Sequence, residues 1–265
     1  MTEQQDVIAA LTAEGDQIDE WLAGLDAAGW AQQTPAKGWT IAHQIAHLSF
    51  IFKIAGTAAS DPDLFTAMTA AASKDFQGAV EGALNMYLPA EPEDLFARWR
   101  EERRDAIKAL DAVPRMQLVP WLVRPLPAFV LASAGLMELF GHGQDIADTV
   151  GVQPVRTDGL QHLVTFAVLT WDFGYQARGL STPDIQFRFE ITGPSGAVWV
   201  YGPEDATERI SGPAVDFCQL VTRRRHHADL EVKATGAEAT HWLEIAQAYR
   251  GPAGDGRKPG QFPKA

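Results

Sequence analysis

The sequence contains a single cysteine, Cys218, in 265 residues. That excludes a disulfide within one chain and any metal site built from clustered thiolates, and it fits a reducing compartment. Basic side chains are also scarce. Lys and Arg number 22 against 34 Asp and Glu, a formal net charge of -12, which is the wrong sign for a surface that holds nucleic acid or an anionic membrane. No run approaches the roughly 18 apolar residues of a membrane span. The first twenty residues, MTEQQDVIAALTAEGDQIDE, lack the basic start and apolar stretch of an export signal. Internal repeats and the Gly-x-Ser-x-Gly pattern of a nucleophile elbow are missing as well. These absences predict a soluble cytoplasmic protein whose partner is a small molecule, with homodimerisation left open.

What is present divides the chain near residue 151. Residues 1–150 carry a net charge of -11 and residues 151–265 only -1. The first part repeats at helical period. Val7, Ile8, Leu11, Ile18, Trp21, Leu22 and Leu25 predict one helix; Thr40 caps a second over Ile41, Ile45, Leu48, Ile51 and Phe52; Pro92 opens a third that ends before Pro114. A fourth runs from Phe129 to Val150 and stops at Gly151. In the third, the charged run Arg100 to Asp105 is expected mostly outward. Prolines 120, 125 and 127 predict a stiff connection, and residues 61–88 are expected to be irregular around one short helix. Four long helices joined by loops predict a four-helix bundle over residues 1–151.

Residues 152–250 predict a smaller α+β domain. A helix is expected over Asp158–Arg178, then a hairpin of Asp184–Thr192 and Ala197–Tyr201 across the turn Gly193-Pro194-Ser195-Gly196. A strand at Glu208–Ser211, a helix from Pro213 to Thr222, a strand at Asp229–Ala234 and a helix from Ala237 to Tyr249 complete it. Residues 251–265 read as a flexible tail.

The chemistry is carried by histidines in apolar company. Glu138 and His142 lie four residues apart on the fourth helix, so both project from one face. Their neighbours Leu136, Met137, Leu139 and Phe140 are apolar. His47 sits between Ala46 and Leu48 on the second helix. Two imidazoles and a carboxylate, with a fourth position open, match the composition of a catalytic zinc site. A single histidine on an apolar helix is more often a hydrogen-bonded packing residue than a ligand. His43 has three readings: fourth ligand, partner to a ligand, or helix-start residue. Asp145, three residues after His142, is either a support for that imidazole or a solvated group. Cys218, with apolar neighbours, reads as an inert core thiol. Trp171, Phe173 and Tyr175 read first as core packing, and Phe65, Met68, Phe76, Met86 and Tyr87 as a cover over a pocket.

Two blocks resemble a known family. Gly38-Trp39-Thr40 leading into Ile45-Ala46-His47-Leu48, and Glu138-Leu-Phe-Gly-His142-Gly-Gln-Asp145, are similar to the elements of DinB-like metal-binding bundles, and among them the mycothiol-dependent maleylpyruvate isomerase group. The resemblance implies that His47, Glu138 and His142 bind a divalent ion, usually zinc. It also implies a C-terminal domain of sterol-carrier-like type and an arginine just after the helix ending at Thr222. Arg223, Arg224 and Arg225 occupy that place, with Arg224 the best match; such an arginine could hold a substrate carboxylate, and the three beside His226 and His227 equally read as a helix C-terminal cap facing solvent. The thiol mycothiol is the implied cofactor, and isomerisation or S-transfer the implied reaction. Two other classes stay open: a thiol-independent hydrolase, lyase or cyclase that activates water or a carbonyl, and a binding module whose ion is structural and closed by His43.

Overall fold

The computed structural model describes residues 3–70, 76–122 and 124–262, and the chain divides into two compact units, Met1–Pro154 and Val155–Ala265. In the first, helix α1 (Glu3–Leu22) buries Val7, Leu11, Ile18 and Leu22 of the stripe its spacing predicts, while Ile8 and Trp21 are half-buried and Leu25 lies past its end. The short α2 (Ala27–Trp30) is capped by Asp26. Helix α3 (Ile41–Ser60) begins with a capping box: the Thr40 hydroxyl accepts from the His43 amide, and the His43 ring nitrogen accepts from the Thr40 amide. Two helices, α4 (Pro62–Thr69) and α5 (Phe76–Tyr87), occupy the stretch expected to be irregular. Helix α6 (Pro92–Ala112) starts on its proline. A short antiparallel ribbon, β1 (Leu118–Val119) with β2 (Leu126–Pro127), forms the proline-rich connection to α7 (Ala128–Val150), which stops at Gly151 in the left-handed region with φ 75°.

Helices α1, α3, α6 and α7 are the four long members of the bundle, α3 packing on both α6 and α7. The contact of α3 with α6 is close enough to need a glycine. A Cβ on Gly56 would stand 2.9 Å from Ala106 Cα. Arg103 departs from the outward course expected of its charged run. It is buried, with Nη2 at 2.9 Å from Asp16 and 2.8 Å from Asp19 and Nη1 donating to the Thr12 carbonyl at 3.2 Å. Asp19 also accepts from Trp99 Nε1 at 2.8 Å. Burial of the guanidinium is offset because two carboxylates and a carbonyl replace its water. Helical spacing alone gives no hint of this, since α1 supplies the partners.

In the second unit, α8 (Leu160–Leu169) and α9 (Phe173–Gln176) replace the single helix expected over Asp158–Arg178. The break leaves the Trp171 carbonyl for Trp242 Nε1, 2.9 Å away, and the Trp171 ring edge-on to Phe187. Strand β3 (Phe187–Thr192) pairs antiparallel with β4 (Val198–Tyr201) as the expected hairpin, and parallel with β5 (Glu208–Pro213). Helix α10 (Ala214–Val221), a 3-10 turn at His227–Asp229, β6 (Lys233–Thr235) and α11 (Ala237–Ile245) follow. The last strand is shorter than Asp229–Ala234 predicts because the Glu231 amide donates to Asp216 rather than to a ladder. Sheet order is β4-β3-β5-β6. Phe187, Phe189, Ile191, Trp199 and Ile210 are buried, and Phe217 of α10 and Trp242 of α11 stack on one another beside Phe189. Tyr175, edge-on to Trp171, belongs to the same core. Beyond α11, the Gly260 amide donates to Asp229 and Arg225 lies 4.2 Å above the Phe262 ring.

The glycine contacts generate a paired prediction. Gly56→Ala destabilises the helical unit, because overpacking at about 1–3 kcal/mol exceeds the roughly 1 kcal/mol gained in helix propensity. Gly82→Ala on α5, where nothing lies within 4 Å of the added Cβ, stabilises it. Thermal unfolding of both variants beside wild type should give midpoint shifts of opposite sign.

Candidate metal centre

Three of the sequence-predicted residues meet in the helical unit. α3 presents His47 and α7 presents Glu138 and His142, and one donor atom from each lies within 4.8 Å of the others. Glu138 Oε2 is 3.4 Å from His47 Nε2 and 3.3 Å from His142 Nε2. Donors bound to one tetrahedral zinc at ordinary bond lengths are about 3.3–3.5 Å apart, so both measured edges fit. The imidazole centroids are 4.5 Å apart. Side-chain exposures of 14% for His47, 15% for His142 and 22% for Glu138 leave the group mostly covered yet reachable.

Burial alone would raise the Glu138 carboxyl, but hydrogen bonds to His142 and His47, and the charge of those rings, outweigh it and hold the group well below its ordinary value of 4.5. Trp39 forms one wall. Its indole stacks on His142 at 5.8 Å with planes 22° apart and tilts against His47 at 5.5 Å.

His43 is the helix-start residue. Its Nδ1 lies 2.7 Å from Thr40 Oγ1 and 3.3 Å from the Thr40 amide, and burial lowers its pKa, favouring the neutral ring the cap requires. Among the described residues the donor cluster has three members without it.

His142 takes a polar partner from another helix: its Nδ1 is hydrogen bonded to Gln44 Oε1 from α3, while Asp145 is fully buried on α7. Gln44 Nε2 donates to Thr34 Oγ1 at 2.9 Å, and Thr34 Oγ1 donates to the Trp39 carbonyl at 2.7 Å. Sequence reasoning passed over Gln44 and Thr34. The available signal was an amide on an apolar helix stripe beside Ile41, Ile45 and Leu48, since a buried amide must find partners.

The remaining candidates lie elsewhere. Phe65 stacks on Trp121 in the core and Tyr87 is fully buried; Met68 and Met86 are exposed, and the Phe76 side chain lies outside the described residues. Cys218 is fully buried on α10. Arg224 is in the second unit, just past α10, its Nη1 donating to the Thr222 carbonyl at 2.6 Å. The Arg223 amide bonds Leu220 O and the Arg224 amide bonds Gln219 O, a Schellman end in which Arg223, at φ 58°, takes the left-handed place usually given to glycine.

The electrostatics yield a test on metal-free protein. A carboxyl whose folded pKa is depressed adds stability above its unfolded value and loses it as pH falls through the folded one. The unfolding midpoint of wild type should exceed that of Glu138→Gln at pH about 6, and the two should converge as pH falls below about 4.

A family model described as the mycothiol maleylpyruvate isomerase N-terminal domain matches residues 11–147, and one described as wyosine base formation matches residues 183–234. Proteins from two strains of Mycobacterium tuberculosis, both named only as uncharacterized, are 41% identical over 250 residues, covering 94% of this chain and 97% of theirs. Among solved structures, the mycothiol-dependent maleylpyruvate isomerase is similar with a TM-score of 0.56 and 15% identity, covering 87% of this chain and 92% of that one. A histidine-to-alanine mutant of that enzyme gives 0.58 and 14% with the same coverage. The structural likeness is one of fold. Among the described residues no helix is long and apolar enough to cross a membrane. With the family model spanning the bundle that carries the histidine and glutamate donors, the chain belongs to the DinB-like mycothiol maleylpyruvate isomerase family.

Proposed function

We propose that the protein is a divalent-metal-dependent cytoplasmic enzyme that uses a small thiol, mycothiol by preference, to isomerise or S-transfer a small electrophilic or unsaturated substrate. His47, Glu138 and His142 are its metal ligands and zinc the expected ion. The observation that carries this reading is the pair of 3.3 and 3.4 Å edges from Glu138 Oε2 to the two imidazole nitrogens. An ion held there supplies the Lewis acidity that makes a thiol or water nucleophilic at neutral pH.

The chain's own contribution is electrostatic and positional. Two neutral imidazoles and one carboxylate bring a single negative charge to the site, so a divalent ion keeps a net positive charge that favours an anionic nucleophile or substrate. Trp39 shields one side from water. The one thiol of the chain is buried, which supports a nucleophile that comes from outside it. The name of the solved relative, a mycothiol-dependent enzyme, supports mycothiol as that thiol. Because His43 Nδ1 is engaged in the helix cap and His43 is not in the donor cluster among the described residues, three protein ligands and an open position are the better reading, against a closed structural site. Arg224 is assigned the substrate carboxylate, which its planar guanidinium can hold by two parallel hydrogen bonds.

Elemental analysis of untagged protein, coupled to thermal shift with mycothiol, tests the proposal. Wild type should carry about one divalent ion per chain. His47→Ala and His142→Ala should lose it, and mycothiol should raise the midpoint of loaded wild type. An ion without a thiol response would move the function to water or carbonyl activation, and no ion after reconstitution would end the metal reading. Arg224→Ala should keep its ion and raise KM for a carboxylate-bearing substrate by about tenfold or more. An unchanged KM would remove Arg224 from the site.

A further inference from the structure

The hydrogen-bond chain behind His142 has a fixed proton order. The Trp39 carbonyl has no proton to give, yet Thr34 Oγ1 lies 2.7 Å from it and the Thr34 amide 2.8 Å. Two oxygens at 2.7 Å must share a hydrogen, and only the hydroxyl has one. The Thr34 hydroxyl proton is thereby committed, and toward Gln44 this oxygen can only accept. Gln44 must turn its NH2 group to Thr34, at 2.9 Å, and its carbonyl oxygen to His142 Nδ1. An acceptor there requires that Nδ1 carry a proton. A neutral His142 then has its lone pair on Nε2, the atom 3.3 Å from Glu138 Oε2.

We infer that Gln44 is a positioning residue for the proposed metal centre: oriented by Thr34 and the Trp39 carbonyl, it fixes the tautomer of His142 that presents Nε2 as a donor. The inference rests on the metal reading for its purpose and on the hydrogen-bond chain for its substance. Gln44 is fully buried and Thr34 nearly so, which keeps water from substituting for either partner. Trp39 contributes twice. Its carbonyl anchors the chain of protons, and its indole stacks on the imidazole whose tautomer is being set. The loop bearing both residues is held by further backbone bonds, Trp39 N to Ala36 O at 2.9 Å and Ile41 N to Gln32 O at 3.1 Å. Neither Thr34 nor Gln44 has a donor atom in the cluster of three.

Long-range proton–nitrogen NMR of the histidine rings in wild type tests the tautomer without any variant. A proton on His142 Nδ1 in both metal-free and zinc-loaded protein is expected; a neutral ring with its proton on Nε2, or zinc bound through Nδ1, would overturn the inference. Zinc titration of variants supplies the second arm. Gln44→Met, which keeps the volume but removes the acceptor, should bind zinc about 10–100-fold more weakly. Gln44→Glu, which keeps an acceptor, should restore binding to within about threefold of wild type. Thr34→Val leaves Gln44 in place and should weaken zinc binding less than Gln44→Met does. Unchanged zinc affinity in a folded Gln44→Met protein, where His142→Ala abolishes binding, would refute the role of Gln44 and leave the metal ligands standing. If wild type binds no zinc, the metal reading fails, and the NMR arm still decides the tautomer.

Discussion

Three electron-pair donors brought within 4.8 Å of one another repel unless a cation or a proton lies among them. The helical unit accepts that repulsion inside an otherwise apolar bundle, and much of its construction serves to hold the donors there. Glu138 and His142 share one face of α7 by virtue of their spacing, so their separation is fixed by helix geometry. His47 must arrive from another helix. Its position depends on where α3 begins, which the capping box of Thr40 and His43 sets one turn earlier, and on how α3 leans on α6, where Gly56 lets the two backbones close up.

The same unit shows two ways of tolerating buried charge. Arg103 lies among partners that neutralise it, and a Cβ on Gly15 would fall on its guanidinium, so the glycine clears the path across α1. In the cluster of His47, Glu138 and His142, neutralisation has to come from protons on the imidazoles or from a cation. The field of the unit is suited to supply one, since the first 150 residues carry a net charge of -11 and raise the local concentration of cations. The α+β unit is built on different terms, with aromatic rings doing most of the packing and almost no net charge.

Much of this was legible in the sequence, because bundle helices advertise themselves by period and by their ends. Thr40, Pro92 and Gly151 each marked a boundary through its own backbone or side-chain chemistry. The donor triad was legible because polar groups stood out against Leu136, Met137, Leu139 and Phe140. The rest depended on contacts between residues far apart in the chain. The inward turn of Arg103 is set by α1, the break after Leu169 by Trp242, and the short last strand by Asp216. His142 illustrates the limit best. A supporting oxygen comes to it from Gln44, 98 residues earlier in the chain. Spacing along one helix cannot foresee a side chain arriving from another.

His47 and Glu138 are separated by 91 residues, a span that takes in α4, α5, α6 and the proline-rich ribbon. An ion that ties them together binds the folded arrangement and not the open chain, so it stabilises the unit by mass action, about 2.7 kcal/mol when free ion stands at 100 times its dissociation constant. A unit with no disulfide available to it draws stability from its ligands in this way. Loading the site would then change how long the folded chain survives heat or proteolysis, quite apart from any reaction carried out there.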